Sequence, residues 1–150
     1  MSIKSVFFTD PYWFSCEDED GFLVRLLPTE FREEQINSDL AREVKKQLTE
    51  YLESVRKVFD LPLKFYGTPF KKDVWEATRK VLYGETATYS DVADISGHPG
   101  AQRAVGNALH VSPILIIVPC HRVVAASHAG NYAYGMGMKK HLLELERDNS

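Results

Sequence analysis

Cysteine is scarce in this chain, with only Cys16 and Cys120 among 150 residues. No Cys-x-x-Cys pair occurs, so a structural zinc site has too few ligands of the usual kind, and no metal is expected. Two unclustered cysteines fit a reducing, intracellular setting in which both thiols are free. Long apolar runs are also missing. The longest, Ile114 to Val118, falls far short of the roughly 18 residues that suggest a membrane span, and it reads as a buried strand. The opening Met1-Ser2-Ile3-Lys4 lacks the apolar stretch of a secretory signal. Together these absences predict a monomeric cytoplasmic protein with no membrane contact.

A strong positive charge is absent too. The formal net charge is −3, which at first argues against a nucleic-acid partner. The distribution argues otherwise. Up to Pro62 there are 8 basic against 13 acidic residues, net −5; from Leu63 onward there are 10 against 8, net +2. A mild basic excess implies few phosphate contacts and a modest, salt-sensitive affinity.

What is present divides the chain at Tyr66-Gly67. The first part, 1–65, reads as a small α/β unit. Ser5 to Thr9, Tyr12 to Glu17 and Phe22 to Leu27 are rich in aromatic and β-branched residues. Asp10-Pro11 and Asp18-Glu19-Asp20-Gly21 separate them with turn chemistry, which predicts two antiparallel connections. Leu40, Val44, Leu48, Leu52 and Val55 then recur at helical spacing behind a cap at Asn37 or Ser38, and Leu61-Pro62-Leu63 closes the helix.

The second part, 66–150, is mostly helical. Thr68-Pro69 opens a helix whose buried face is Phe70, Val74, Ala77 and Val81 and whose end is set by Gly84-Glu85. Thr88 with Asp91 resembles a capping box for a short helix that stops at Gly97. After the turn Gly97-His98-Pro99-Gly100 comes a helix over Ala101 to His110, so the pair suggests a helix-turn-helix. Its second helix offers small residues and a single Arg103. That content suits a helix pressed close into a narrow groove better than one reading base edges in the major groove, with a simply solvated Arg103 as the alternative.

Pro119-Cys120-His121-Arg122 follows the apolar run. A lone cysteine is usually a small buried hydrophobe, and Cys16 fits that description. Cys120 differs, because the histidine and arginine beside it would lower its pKa and raise its thiolate fraction. Adjacent strand residues point to opposite faces, so either the chain turns there or a water relays the proton. A carboxylate is then needed to orient the imidazole, with Glu144 and Glu146 as candidates on a C-terminal segment, 138–147, anchored by Leu142, Leu143 and Leu145.

Pro119-Cys120-His121-Arg122-Val123-Val124 resembles the active-site motif of the O6-alkylguanine-DNA alkyltransferases. Four further blocks agree in order: Gly84 to Tyr89, Gln102 to Gly106, Gly130 to Gly135, and Lys139 to Glu146. The match runs from about Thr68 to Glu146, and the first part resembles the family's ribonuclease H-like domain only in its coarse strand–helix pattern. The implied fold is α+β: an N-terminal ribonuclease H-like sheet with a helix, and a C-terminal winged helix-turn-helix domain.

The resemblance implies direct-reversal repair without a cofactor. An alkyl group would pass irreversibly and stoichiometrically from O6-alkylguanine, with O4-alkylthymine as a second candidate, to Cys120. His121 would act as base through a water and Glu146 would orient it. Tyr89 would turn the target nucleotide's phosphate and donate towards the base ring. Double-stranded DNA would be bound through the minor groove by Tyr89, Ser90, His98, Ala101, Gln102 and Arg103, with Arg103 entering the stack. Leu109, Ser112, Val123, Tyr132, Ala133 and Tyr134 would form the pocket, with backbone groups of Cys120 and Val123 accepting the guanine amine. Two positions depart from the pattern. Ser112 stands where the family usually has a bracing asparagine, and Tyr134 is bulky, so it is expected to narrow the pocket against substrates such as O6-benzylguanine. The competing readings are a lesion-binding protein without transfer activity, a winged-helix transcription factor and a cysteine hydrolase. The first lacks the acceptor cysteine, and the last needs an oxyanion hole.

Overall fold

The computed structural model describes residues 1–150. The fold is mixed α+β, with one three-stranded antiparallel sheet, a two-stranded pair and five helices. The chain divides into two compact units, Met1–Phe65 and Tyr66–Ser150. No helix is long and apolar enough to cross a membrane.

In the first unit, β1 (Ser2–Thr9), β2 (Tyr12–Glu19) and β3 (Phe22–Pro28) form a meander in the order β1-β2-β3. Period-two alternation turns Phe7, Phe14, Cys16, Leu23 and Leu26 inward. Helix α1 (Asp39–Leu52) supplies Ala41, Val44, Leu48 and Tyr51 to the same core and packs on β1 and β2. Val44 and Leu48 each contribute about 1.5–3 kcal/mol when fully buried. Ser38 is the N-cap: its hydroxyl accepts from Ala41 N at 3.0 Å and donates to buried Asp18 at 2.6 Å, so the cap also ties the helix to the sheet. The helix ends at Leu52, earlier than expected. Ser54 adopts φ +63° and turns the chain, which leaves Val55 72% exposed instead of on the buried face.

The second unit begins with α2 (Pro69–Thr78), capped by Thr68 with Pro69 in its first turn. It stops at Thr78, well before Gly84, because the following amides of Lys80 and Val81 bond three residues back. Val81 stays buried in that turn. Strand β4 (Ala87–Thr88) runs into α3 (Tyr89–Ile95), whose start carries the Thr88–Asp91 capping box. Gly97, at φ +84°, reverses the chain after α3 at no steric cost, and α4 (Gln102–His110) follows. The Trp75 indole donates to Ala108 O at 2.9 Å, tying α2 to α4.

The run Ile114 to Val118 is buried throughout but is not a strand. It folds as successive turns, with Ile116 at φ +64°. A continuous apolar run reports burial on all sides and not extension, and the flanking Pro113 and Pro119 have no N–H for a ladder. Cys120–Arg122 is then a single 3₁₀ turn and not a strand end. Strand β5 (Val123–Val124) pairs in parallel with β4, and α5 (Met136–Asn149) completes the unit. The β4–β5 pair is short but decisive for position. It joins the chain just before Tyr89 to the chain just after Cys120-His121-Arg122.

Candidate active site

Cys120 is 6% exposed at the wall of a cavity of about 340 Å³. Tyr89 from the first turn of α3 lines one side, and Gln102, Arg103, Gly106, Asn107 and His110 line it from α4. Leu109 also reaches the wall, and Asn131, Tyr132 and Ala133 close it from the segment before α5. That segment is held to Tyr89, whose hydroxyl accepts from Asn131 N at 3.2 Å. Gly130 has φ +76°, and a Cβ there would lie 2.7 Å from the Tyr89 hydroxyl, so only glycine permits this approach.

Behind the thiol lies a buried polar cluster. The 3₁₀ turn swings His121 and Arg122 towards Glu146 on α5. His121 Nε2 sits 2.6 Å from Glu146 Oε2; Arg122 Nε donates to Oε1 at 2.8 Å and its Nη2 to Oε2 at 3.0 Å. Gly84 N adds a bond to Oε1 at 3.2 Å, and Arg122 Nη1 donates to Val81 O at 2.8 Å. Burial alone would raise the Glu146 carboxyl, but the bonds from His121 and Arg122 outweigh it and hold the pKa at about 2. An ionised Glu146 can only accept, so His121 must carry its proton on Nε2 and present Nδ1 as the basic nitrogen. Burial lowers the His121 pKa below its ordinary value, which keeps the ring neutral at pH 7.

The expected depression of the thiol pKa is corrected by this geometry. Burial pushes Cys120 up to about 11. Arg122 faces Glu146 and His121 is neutral, so the sequence neighbours bring little positive charge to the sulfur. The cation that does act on it is Lys139 of α5. Its side chain is fully buried, and its ammonium donates to Val123 O at 2.6 Å and Asn131 O at 3.0 Å. Burial lowers Lys139 to about 8. Cys16, 2% exposed in β2, is pushed up to about 12 by burial and by Asp18 and Glu17, as suits an inert core thiol.

Seven of the residues singled out in the sequence border the cavity: Cys120, Tyr89, Gln102, Arg103, Leu109, Tyr132 and Ala133. Ser112, Val123 and Tyr134, expected in the pocket, are not among the residues that line it. The Tyr134 hydroxyl donates to Ser112 O at 3.1 Å, and its ring meets Tyr132 edge-on at 5.4 Å. Ser90 is exposed on α3, and Ala101 is the N-terminal boundary of α4. His98 lies in the turn between α3 and α4, 3.1 Å from Asp73 and edge-on to Phe70. Sequence reasoning passed over Asn107, His110, Asn131 and Lys139. A signal for Lys139 existed: with Leu142 and Glu146 it falls at i, i+3, i+7, placing a lysine on the buried stripe of α5. No three His, Cys, Asp or Glu side chains converge as a metal-binding group.

Comparison with known proteins points to one family. The family model described as 6-O-methylguanine DNA methyltransferase, DNA binding domain, matches residues 69–148. The methylated-DNA–protein-cysteine methyltransferase of Methanosarcina acetivorans is 46% identical over 111 residues, covering 73% of this chain and 71% of that protein. The crystal structure of Mycobacterium tuberculosis O6-methylguanine methyltransferase superposes with a TM-score of 0.89 at 34% identity, over 100% of this chain and 95% of that one. A structure of the Mycobacterium tuberculosis protein OGT in complex with DNA matches with a TM-score of 0.86 at 35% identity, over 95% and 92% of the two chains. The chain belongs to the 6-O-methylguanine DNA methyltransferase family.

Proposed function

We propose that this protein repairs DNA by direct reversal, taking a methyl or larger alkyl group from O6-alkylguanine onto Cys120 in a single, irreversible turnover. The observation that carries the reading is a cysteine at the wall of a cavity beside the helix pair, with a neutral histidine behind it held by an ionised glutamate. The target carbon is saturated, so the step is a displacement. The Cys120 sulfur forms a C–S bond as the C–O bond to guanine breaks, and the electron pair goes to the guanine oxygen. A soft thiolate suits that chemistry. Because burial holds Cys120 protonated at rest, the proton leaves as substrate is engaged, passing to Nδ1 of His121 through a water while Nε2 stays bonded to Glu146. The Tyr89 hydroxyl supplies a proton towards the leaving base. The thioether product has no easy reverse path, so each molecule repairs one lesion, and no cofactor is consumed.

The reactive atom is buried within a duplex, so the nucleotide must be flipped out at a cost of a few kcal/mol. In this reading α3 and α4 with the β4–β5 pair act as a winged helix-turn-helix, and α4 lies along the minor groove. Arg103 fills the vacated stack, while Ser90, His98, Ala101 and Gln102 line the DNA. Leu109, Tyr132 and Ala133 enclose the base, with Ser112, Val123 and Tyr134 supporting them. The first unit is a ribonuclease H-like domain, and the protein acts as a cytoplasmic monomer. The test is intact mass spectrometry after mixing the protein with excess duplex carrying O6-methylguanine. The expected result is one added methyl per chain, mapped to the Cys120 peptide. Retained lesion binding with no mass gain would replace this reading with that of a lesion-binding protein.

A further inference from the structure

We propose that Tyr83 is a positioning residue for the transfer step: its ring flanks the Arg122 guanidinium and keeps that cation committed to Glu146, which orients His121. The inference rests on the alkyl-transfer reading above and deepens it with a residue that does not line the cavity. The guanidinium carbon of Arg122 lies 5.7 Å from the centroid of the Tyr83 ring, within the distance of about 6 Å at which a ring face attracts a cation. The guanidinium nitrogens are already assigned. Nε and Nη2 donate to the two oxygens of Glu146, and Nη1 donates to Val81 O. The ring adds a contact that these bonds do not supply.

A tight turn after α2 puts the ring there. Tyr83 and Gly84 are its central residues, closed by Glu85 N, which donates to Leu82 O at 3.0 Å; Gly84 has the positive φ, +78°, that its third place favours. This short stretch meets the ion pair three times. Val81 supplies a carbonyl to Arg122, Tyr83 a ring, and Gly84 an amide that donates to Glu146 Oε1 at 3.2 Å. Packing alone would account for the burial of Val81 but not for three directed contacts on one buried pair.

The contact matters because Glu146 is shared. His121 Nε2 lies 2.6 Å from Oε2, and Arg122 Nη2 donates to the same oxygen at 3.0 Å. Arg122 thus draws on the carboxylate charge that would otherwise favour an imidazolium. Burial holds His121 neutral, and Arg122 with Lys139 works in the same direction against Glu146. A guanidinium is planar and weakly hydrated on its faces. With an aliphatic side chain at position 83 it loses that attraction, and water that enters beside it screens the ion pair. Glu146 then has more charge to offer His121, Nδ1 protonates more readily, and the base is lost at a higher pH. The charged or titratable groups around His121 are Glu146 and Lys139 from α5, with Cys120 and Arg122 from its own turn; Tyr83 stands beyond Arg122. Substitution at position 83 leaves all the others in place.

The experiment compares wild type, Tyr83→Phe and Tyr83→Leu. NMR measures exchange of the Arg122 Nε–H with water near neutral pH, its signal identified by its loss in Arg122→Lys. Single-turnover methyl transfer from an O6-methylguanine duplex is followed between about pH 5 and 8, where histidines titrate. Tyr83→Phe keeps the ring and should behave as wild type. Tyr83→Leu should exchange roughly five- to thirtyfold faster, and its transfer should fall away on the acid side at a pH higher by about half a unit or more. Equal exchange in the two variants would overturn the assignment. So would a transfer loss of the same size at every pH, which would mean that the ring only supports the fold. If wild type takes no methyl from DNA, the repair reading falls, and the exchange contrast alone decides whether the ring holds Arg122. Should Tyr83→Leu fail to fold, phenylalanines of increasing ring fluorination at position 83 keep the shape while weakening the ring quadrupole. Exchange should quicken along that series, and a flat series would overturn the assignment.

Discussion

Replacing Glu146 by glutamine should cost both stability and transfer, and the structure sets the scale. An ordinary glutamate carboxyl has a pKa of 4.5, whereas Glu146 is held at about 2. At 1.36 kcal/mol per pH unit this corresponds to roughly 3 kcal/mol favouring the ionised form in the folded state. An independent route agrees: removing one partner of a buried ion pair costs about 3–5 kcal/mol, because the guanidinium of Arg122 is left without a counter-charge. Glutamine cannot serve both donors. If its oxygen faces His121, its amide N–H meets the arginine. If it is turned round, the amide faces Nε2, forces the proton onto Nδ1 and removes the basic nitrogen. Urea unfolding of Glu146→Gln in a Trp13→Phe background, where buried Trp75 of the same unit is the sole tryptophan reporter, should show a loss of about 3 kcal/mol at pH 7. Methyl transfer should fall by roughly 10²-fold or more. Because the folded pKa is depressed, the Glu146 contribution is complete above about 4.5 and is lost as pH falls towards about 2. The variant should therefore lack that part of the acid slope. A loss under about 1 kcal/mol, or the same acid slope in both proteins, would refute the reasoning.

Two further outcomes follow from the same geometry. Lys139→Met leaves the carbonyls of Val123 and Asn131 without their buried donor, so it should slow transfer and loosen the segment over the cavity, as read by hydrogen exchange at residues 130–134. Since burial lowers Lys139 to about 8, its charged form opposes folding below that pH. Wild type should gain stability relative to Lys139→Met as pH rises from about 8 towards 10.5, the unshifted value. Arg103→Ala alters an exposed side chain at the cavity mouth. It should change stability by less than about 0.5 kcal/mol and leave the rate of Cys120 with iodoacetamide intact, while slowing transfer from duplex DNA by about tenfold or more, given a flipping cost of a few kcal/mol.

Where residues signal through local rules, the sequence was legible. The three strands follow from alternation and from Asp-Pro and Asp-Gly turn chemistry. The capping box at Thr88–Asp91 and the proline-opened α2 are set by contacts within one helical turn. The misread elements have one source. Ile114 to Val118, Val81 and Val55 were placed by hydrophobicity, which reports burial and not backbone form. The first two are buried without being strand or helix, and Val55 lies past the end of its helix.

The amino-acid order by itself determined the elements and the presence of a cysteine flanked by histidine and arginine, because caps, turns and periodicities act over a few residues. The direction in which that histidine and arginine point was decided only by the tertiary structure. A 3₁₀ turn aims both at Glu146, 25 positions further along from His121, so the charge expected at the sulfur goes elsewhere. The cation that acts on it comes from Lys139 on the same distant helix. The pKa of a buried group depends on solvent exclusion and on partners brought in from afar, and no local pattern in the chain encodes either.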